Sequence, residues 1–85
     1  MAARFAIWDM ETGNLVAAYD SEDAALRLLA DSLTQHGATY VASLALVRED
    51  QRGRLRVLAD GTALVERARA ALESRRSSTP RSHAV

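Results

Sequence analysis

The sequence predicts an α+β fold: a two-layer domain in which a four-stranded antiparallel sheet carries two helices, in the order ββαββα. Three observations predict it. An apolar run, a turn holding a glycine and a second apolar run occur twice, around Gly13 and around Gly53. A helix start opening on an aspartate follows each pair, at Asp20 and at Asp60. The apolar residues after each start recur at helical spacing and not at the strand period of two.

Residues 5–9 form the first strand. Glu11-Thr12-Gly13-Asn14 is the turn, because Gly13 can take the positive φ that closes a short hairpin loop. Residues 15–19 return. Asp20 or Ser21 then accepts from the free N–H groups of a helix whose first turn holds Glu22 and Asp23, where the positive end of the dipole favours acids. This helix runs to about His36, with Ala24, Ala25, Leu28, Leu29 and Leu33 on one stripe, widened by Leu26 and Ala30. Gly37 stops it.

Residues 41–48 are the third strand, and Glu49-Asp50-Gln51-Arg52-Gly53 is the second turn. Arg54-Leu55-Arg56-Val57 alternates with the period of a half-buried strand. Asp60-Gly61-Thr62 opens the second helix, which sets Leu64, Ala68, Ala71 and Leu72 on one side. An offset of 40 superposes Gly13 on Gly53, Asp20 on Asp60 and Arg27 on Arg67, which marks a shared plan for the two halves. Residues 1–74 are expected to be one domain. Residues 75–85 are polar, basic and aperiodic, and are expected to form a disordered tail.

At 85 residues the chain has room for one domain. Apolar residues make up 48% of it, but many are Ala, so the core is thin and association with a partner would add to it. The net charge is zero and unevenly spread: residues 1–60 carry six Arg against nine acids, and residues 61–85 five Arg against two. Every basic residue is Arg. There is no Cys, which excludes disulfides and thiolate metal sites. The first nine residues lack the apolar run of a signal peptide, and no stretch reaches the ~18 apolar residues of a membrane span. These features predict a cytoplasmic protein.

Strand alternation makes the sharpest functional statement. With Phe5, Ile7, Leu15, Ala17, Tyr19, Leu44, Leu46, Leu55 and Val57 turned to the helices, Ala6, Trp8, Val16, Ala18, Ala45 and Val47 turn away. In a two-layer domain that second face meets water and should be polar. Only the fourth strand complies, with Arg54 and Arg56. Trp8, Val16, Ala18, Val47, Arg54 and Arg56 are therefore the expected partner-binding residues, since exposed apolar patches mark interaction sites and Trp and Arg dominate interface energetics. A bulge beside Gly13 or Gly53 would switch a strand's faces and redraw this set, and the second helix could instead lie over the patch.

No residue pattern nominates catalysis. His36 sits at a helix end, where the dipole accounts for it, and His83 lies in the tail. The carboxylates at Asp20, Glu22 and Asp23 belong to a helix start, and Glu49 and Asp50 to a turn. No nucleophile elbow, phosphate loop or dinucleotide fingerprint is present. No cofactor, metal site or enzymatic role is expected. Arg48, Arg52, Arg54 and Arg56 on the second hairpin, with Arg67, Arg69, Arg75 and Arg76 on the helix, raise nucleic-acid binding as the rival reading. Glu49, Asp50, Glu66 and Glu73 among them weigh against it.

The stretch from Phe5-Ala-Ile-Trp-Asp through Thr12-Gly13-Asn14-Leu15-Val16 to Asp20-Ser-Glu-Asp-Ala-Ala-Leu26, with Leu44-Ala-Leu-Val-Arg-Glu-Asp50, resembles a group of short uncharacterised bacterial proteins. They share a W/F-D-x-x-[ST]-G-N-x-[IV] hairpin followed by an acidic, Ala-rich helix start. The similarity covers roughly residues 5–72 and implies no activity. The element order also resembles small antitoxin-like α/β domains. The expectation is a small non-enzymatic protein that acts through protein–protein contacts, as a homodimer through its sheet face. The alternative is an Arg-mediated nucleic-acid-binding or antitoxin-like regulatory protein.

Overall fold

The computed structural model describes residues 3–78. The chain forms β1 (Arg4–Asp9), β2 (Asn14–Tyr19), α1 (Glu22–His36), α2 (Ala38–Ala42), β3 (Leu44–Glu49), β4 (Leu55–Asp60) and α3 (Gly61–Ser78). The four strands make one antiparallel sheet in the order β2-β1-β3-β4. Two hairpins thus lie side by side, joined through their first strands.

Each hairpin turn is built by an aspartate and a glycine. In the first, Asp9 Oδ1 accepts from the N–H groups of Glu11 at 2.9 Å and Thr12 at 3.3 Å. Gly13, at φ 76°, donates its N–H to the Asp9 carbonyl at 2.7 Å. In the second, Asp50 Oδ1 accepts from Arg52 and Arg54, each at 2.9 Å, and Gly53 sits at φ 81°. A short polar side chain folds the chain onto its own backbone, and only glycine takes the left-handed position without strain. These turns occupy the carboxylates of Asp9 and Asp50 with structural work.

Ser21 caps α1: its hydroxyl oxygen accepts from the Ala24 N–H at 3.1 Å. Ser21→Ala should cost ~1 kcal/mol and lower the melting temperature by about 4–8 °C, measured by circular dichroism. Gly37, at φ 90°, ends the helix and donates to the Leu33 carbonyl at 3.0 Å.

The chain then departs from expectation. The third strand begins at Leu44, not at residue 41, and residues 38–42 form α2. The short helix buries Val41 completely against the helical side of the sheet. Ser43 closes it, with its N–H 3.0 Å and its hydroxyl 2.6 Å from the Tyr40 carbonyl, while the Ser43 carbonyl accepts from Met10 at 2.9 Å. That last bond fastens the connection to the end of β1.

One core holds the layers together. The sheet contributes Ile7, Leu44, Leu46 and Ala59, α1 contributes Ala25 and Leu29, α2 contributes Val41, and α3 contributes Leu64, Val65 and Ala68. All three helices therefore pack on the same face. Two ion pairs lace α1 to α3, Arg67 to Glu22 at 2.7 Å and Arg75 to Asp31 at 3.2 Å. Both are largely exposed, so each contributes ~0–1 kcal/mol. The helix α3 continues through Ser78, beyond residue 74 where periodicity in the sequence fades. The rest of the expected tail, with Arg81 and His83, lies outside the described residues.

Candidate interaction surface

Side chains directly opposite each other across antiparallel strands lie on the same face. The pairing therefore sorts the sheet into rows. On the helical side, Ala17, Ile7, Leu46 and Ala59 form one row, and Tyr19, Phe5, Arg48 and Arg56 form the next. On the open side, Ala18, Ala6, Val47 and Val57 form one row, and Leu15, Trp8, Ala45 and Asp60 form another.

These rows correct the predicted faces. Two bulges interrupt the pairing, one at Val16 between the partners of Ile7 and Trp8, the other at Leu58 between the partners of Leu46 and Val47. An extra residue in one strand switches the faces of everything beyond it. Leu15, Leu55 and Val57, expected inside, stand on the open face at 51%, 62% and 55% exposure. Arg54 and Arg56, expected on the open face, lie on the helical side, because Arg56 opposes Arg48 and Arg54 lines a depression with that same residue. Trp8, Ala18 and Val47 keep their predicted face, and Val16 is the exposed bulge residue itself.

The open face is thus more apolar than alternation predicted. Its centre is small and close-packed: Ala6, Ala45 and Val47 are buried although no helix among the described residues covers them. Trp8 stands directly opposite Ala45 and is half-buried beside it. Between Trp8, Met10, Leu55 and Val57 lies an open depression of about 310 Å³, floored by Ala45 and Val47. Leu15 stands to its side, across from Trp8. Charge is confined to the rim, with Arg4 opposite Glu49 at one end and Asp60 at the other.

The other features found in the sequence have local explanations. His36 lies against Tyr40, with ring centroids 4.9 Å apart. A groove of about 430 Å³ between α1 and α3 is lined by Asp23, Arg27, Arg67 and Arg75, of which Arg67 and Arg75 are engaged with Glu22 and Asp31. Among the described residues no three His, Cys, Asp or Glu side chains gather as a metal site, and no helix is long and apolar enough to cross a membrane.

The open-face residues that alternation in the sequence assigned to the wrong side were Leu15, Leu55 and Val57. The available signal was broken alternation: Leu15-Val16-Ala17-Ala18 and Val57-Leu58-Ala59 are uninterrupted apolar runs, the pattern that admits an extra residue without burying a charge. Comparison with family models, with curated proteins and with solved structures returned no match.

Proposed function

We propose that this protein is a non-enzymatic protein-binding module whose partner is a second copy of itself, docked face to face across the open side of the sheet. One observation carries the reading: a four-stranded apolar face, with Leu15, Leu55 and Val57 more than half exposed, that no element among the described residues covers. Four strands of six residues span about 20 by 19 Å, roughly 400 Å² in plan. That lies within the ~300–600 Å² of the largest patch on a typical monomer, a patch that is often functional.

A second copy fits for three reasons. The chain is neutral overall, so two copies do not repel. The rim of the face carries both signs, Arg4 against Glu49 and Asp60, so two copies related by a twofold axis can set opposite charges against each other. The face also has a knob and a hollow of its own, Leu15 and the depression beside Trp8. Stacked sheets pack ~10 Å apart by interdigitating such relief.

The area also sets the strength. Two such faces bury roughly 800 Å², below the ~1,200–2,000 Å² of stable complexes and in the range of weak, transient ones, so a dimer no tighter than micromolar is expected. Sedimentation velocity across a concentration series should show monomer passing to dimer in the micromolar range. A single monomeric species up to high micromolar concentration would sink the proposal.

A further inference from the structure

Among the described residues, two arginines face each other on the other side of the sheet. Arg48 and Arg56 are exposed and directly opposite each other on β3 and β4. Like charges so placed, with Cβ atoms about 5 Å apart, destabilise a sheet. Three arginines are matched with acids, Arg54 with Asp50, Arg67 with Glu22 and Arg75 with Asp31, while Arg4, Arg27, Arg52 and Arg69 stand without an ion pair among the described residues but face no like charge across a strand. Arg48 and Arg56 have no ion pair or hydrogen-bond partner among the described residues.

The nearest acids do not relieve them. Glu49 points to the open face, opposite Arg4 and Leu55. Asp50 is engaged three times over: its Oδ1 accepts from the N–H groups of Arg52 and Arg54, and its Oδ2 lies 3.6 Å from Arg54 Nε. Residues 48–56 carry four arginines (48, 52, 54 and 56) against Glu49 and Asp50, a net charge of two positive, and Glu49 lies on the opposite face. Arg48, Arg52 and Arg54, together with Asp50 and Gln51, line an open depression of about 300 Å³ beside Arg56. The chain contains no Lys, so the choice of Arg says little; the placement says more.

We propose that this end of the β3–β4 hairpin binds a phosphate group, held between the guanidinium groups of Arg48 and Arg56. A dianion there turns a repulsive pair into two charge-assisted contacts, and the planar guanidinium fork matches phosphate oxygens. The phosphate is supplied by a phosphorylated small molecule or by a nucleic-acid backbone. Because the site faces away from the open face, it does not depend on dimer formation.

The test uses the full chain and two probes: inorganic phosphate, followed by NMR, and a short single-stranded oligonucleotide, followed by fluorescence anisotropy. Saturable binding of either probe is expected, with a loss of ~10-fold or more in Arg48→Gln and in Arg56→Gln. Arg69→Gln, which removes the same charge from an exposed site on α3, should leave binding unchanged. Arg56→Glu should abolish binding and raise the melting temperature, since it replaces a like-charge pair with an opposite one. A residue serving the fold alone would not gain stability from that change. Saturation by phosphate assigns a small phosphorylated ligand. Binding of the oligonucleotide alone, weakening with salt by a slope of about 0.7 per phosphate contacted, assigns nucleic acid. No saturation by either probe, or equal weakening in Arg69→Gln, would overturn the assignment.

Discussion

Leu46→Ala is expected to lower the unfolding free energy by about 2–5 kcal/mol, the range for emptying a fully buried leucine site. Leu46 has no exposed surface and stands in the middle of the helical-side row, between Ile7 and Ala59. Across the strands it meets Ile7 on one side and Ala59 on the other, within a core that holds Leu29, Leu44, Leu64 and Val65. How far these side chains relax into the vacancy sets where in the range the loss falls. A chain of 85 residues has roughly 4–13 kcal/mol to lose. The variant is therefore expected to be marginal at 37 °C. Urea denaturation of the monomer checks it, with the midpoint falling and the slope unchanged. Leu55→Ala is the control: the same truncation, at a side chain 62% exposed, should stay within about 0.5 kcal/mol. If the two leucines cost the same, the assignment of faces is wrong.

That contrast is also where sequence and structure part company. The turns were legible because their chemistry is local: Gly13 and Gly53 take positive φ, Ser21 caps, and Gly37 stops a helix. The stripe of Ala25 and Leu29 was legible because helical periodicity repeats over several turns. The four-stranded antiparallel sheet followed from the two hairpins. The bulges were not legible, because they belong to the pairing and not to the strand. Val16 and Leu58 are ordinary apolar residues; only the strands beside them reveal that each is one too many. One extra residue moves Leu55 and Val57 to one face and Arg56 to the other, which reverses the predicted chemistry of β4. The helix α2 escaped for a different reason. Ala-Thr-Tyr-Val-Ala favours a strand as much as a helix by propensity, and burial of Val41 decides between them.

The bulges also bear on how the sheet avoids unwanted partners. Both lie in the outer strands, β2 and β4, whose free edges would otherwise accept a further strand. A bulge distorts the row of N–H and C=O groups that such pairing requires. Edge-to-edge growth is thereby discouraged, while the flat of the sheet remains apolar and open. The chain blocks one mode of association and leaves the other available.

If two copies meet through the open face as proposed, Trp8→Glu is expected to convert that dimer to monomer with the helix content retained. Trp8 walls the depression on the open face, and its partner across the sheet is Ala45, a residue without charge or bulk to answer a carboxylate. Loss of a buried aromatic anchor costs about 2 kcal/mol or more in an interface. A face-to-face pair related by a twofold axis contains the residue twice, so the substitution counts twice, and the dissociation constant should rise roughly a thousandfold. Sedimentation velocity reads the association, and far-ultraviolet circular dichroism reads the fold. Because Trp8 is half-buried, its replacement could also loosen the sheet. Val57→Asp separates the two effects, since Val57 is 55% exposed and outside the core. It should dissociate the dimer as Trp8→Glu does and leave the melting temperature of the monomer nearly unchanged. Arg56→Gln, one residue away in the same strand, should leave association untouched, because its side chain leaves the sheet on the opposite face. Should Arg56→Gln dissociate the dimer while Val57→Asp does not, the interface lies on the helical side and the open face is not where two copies meet.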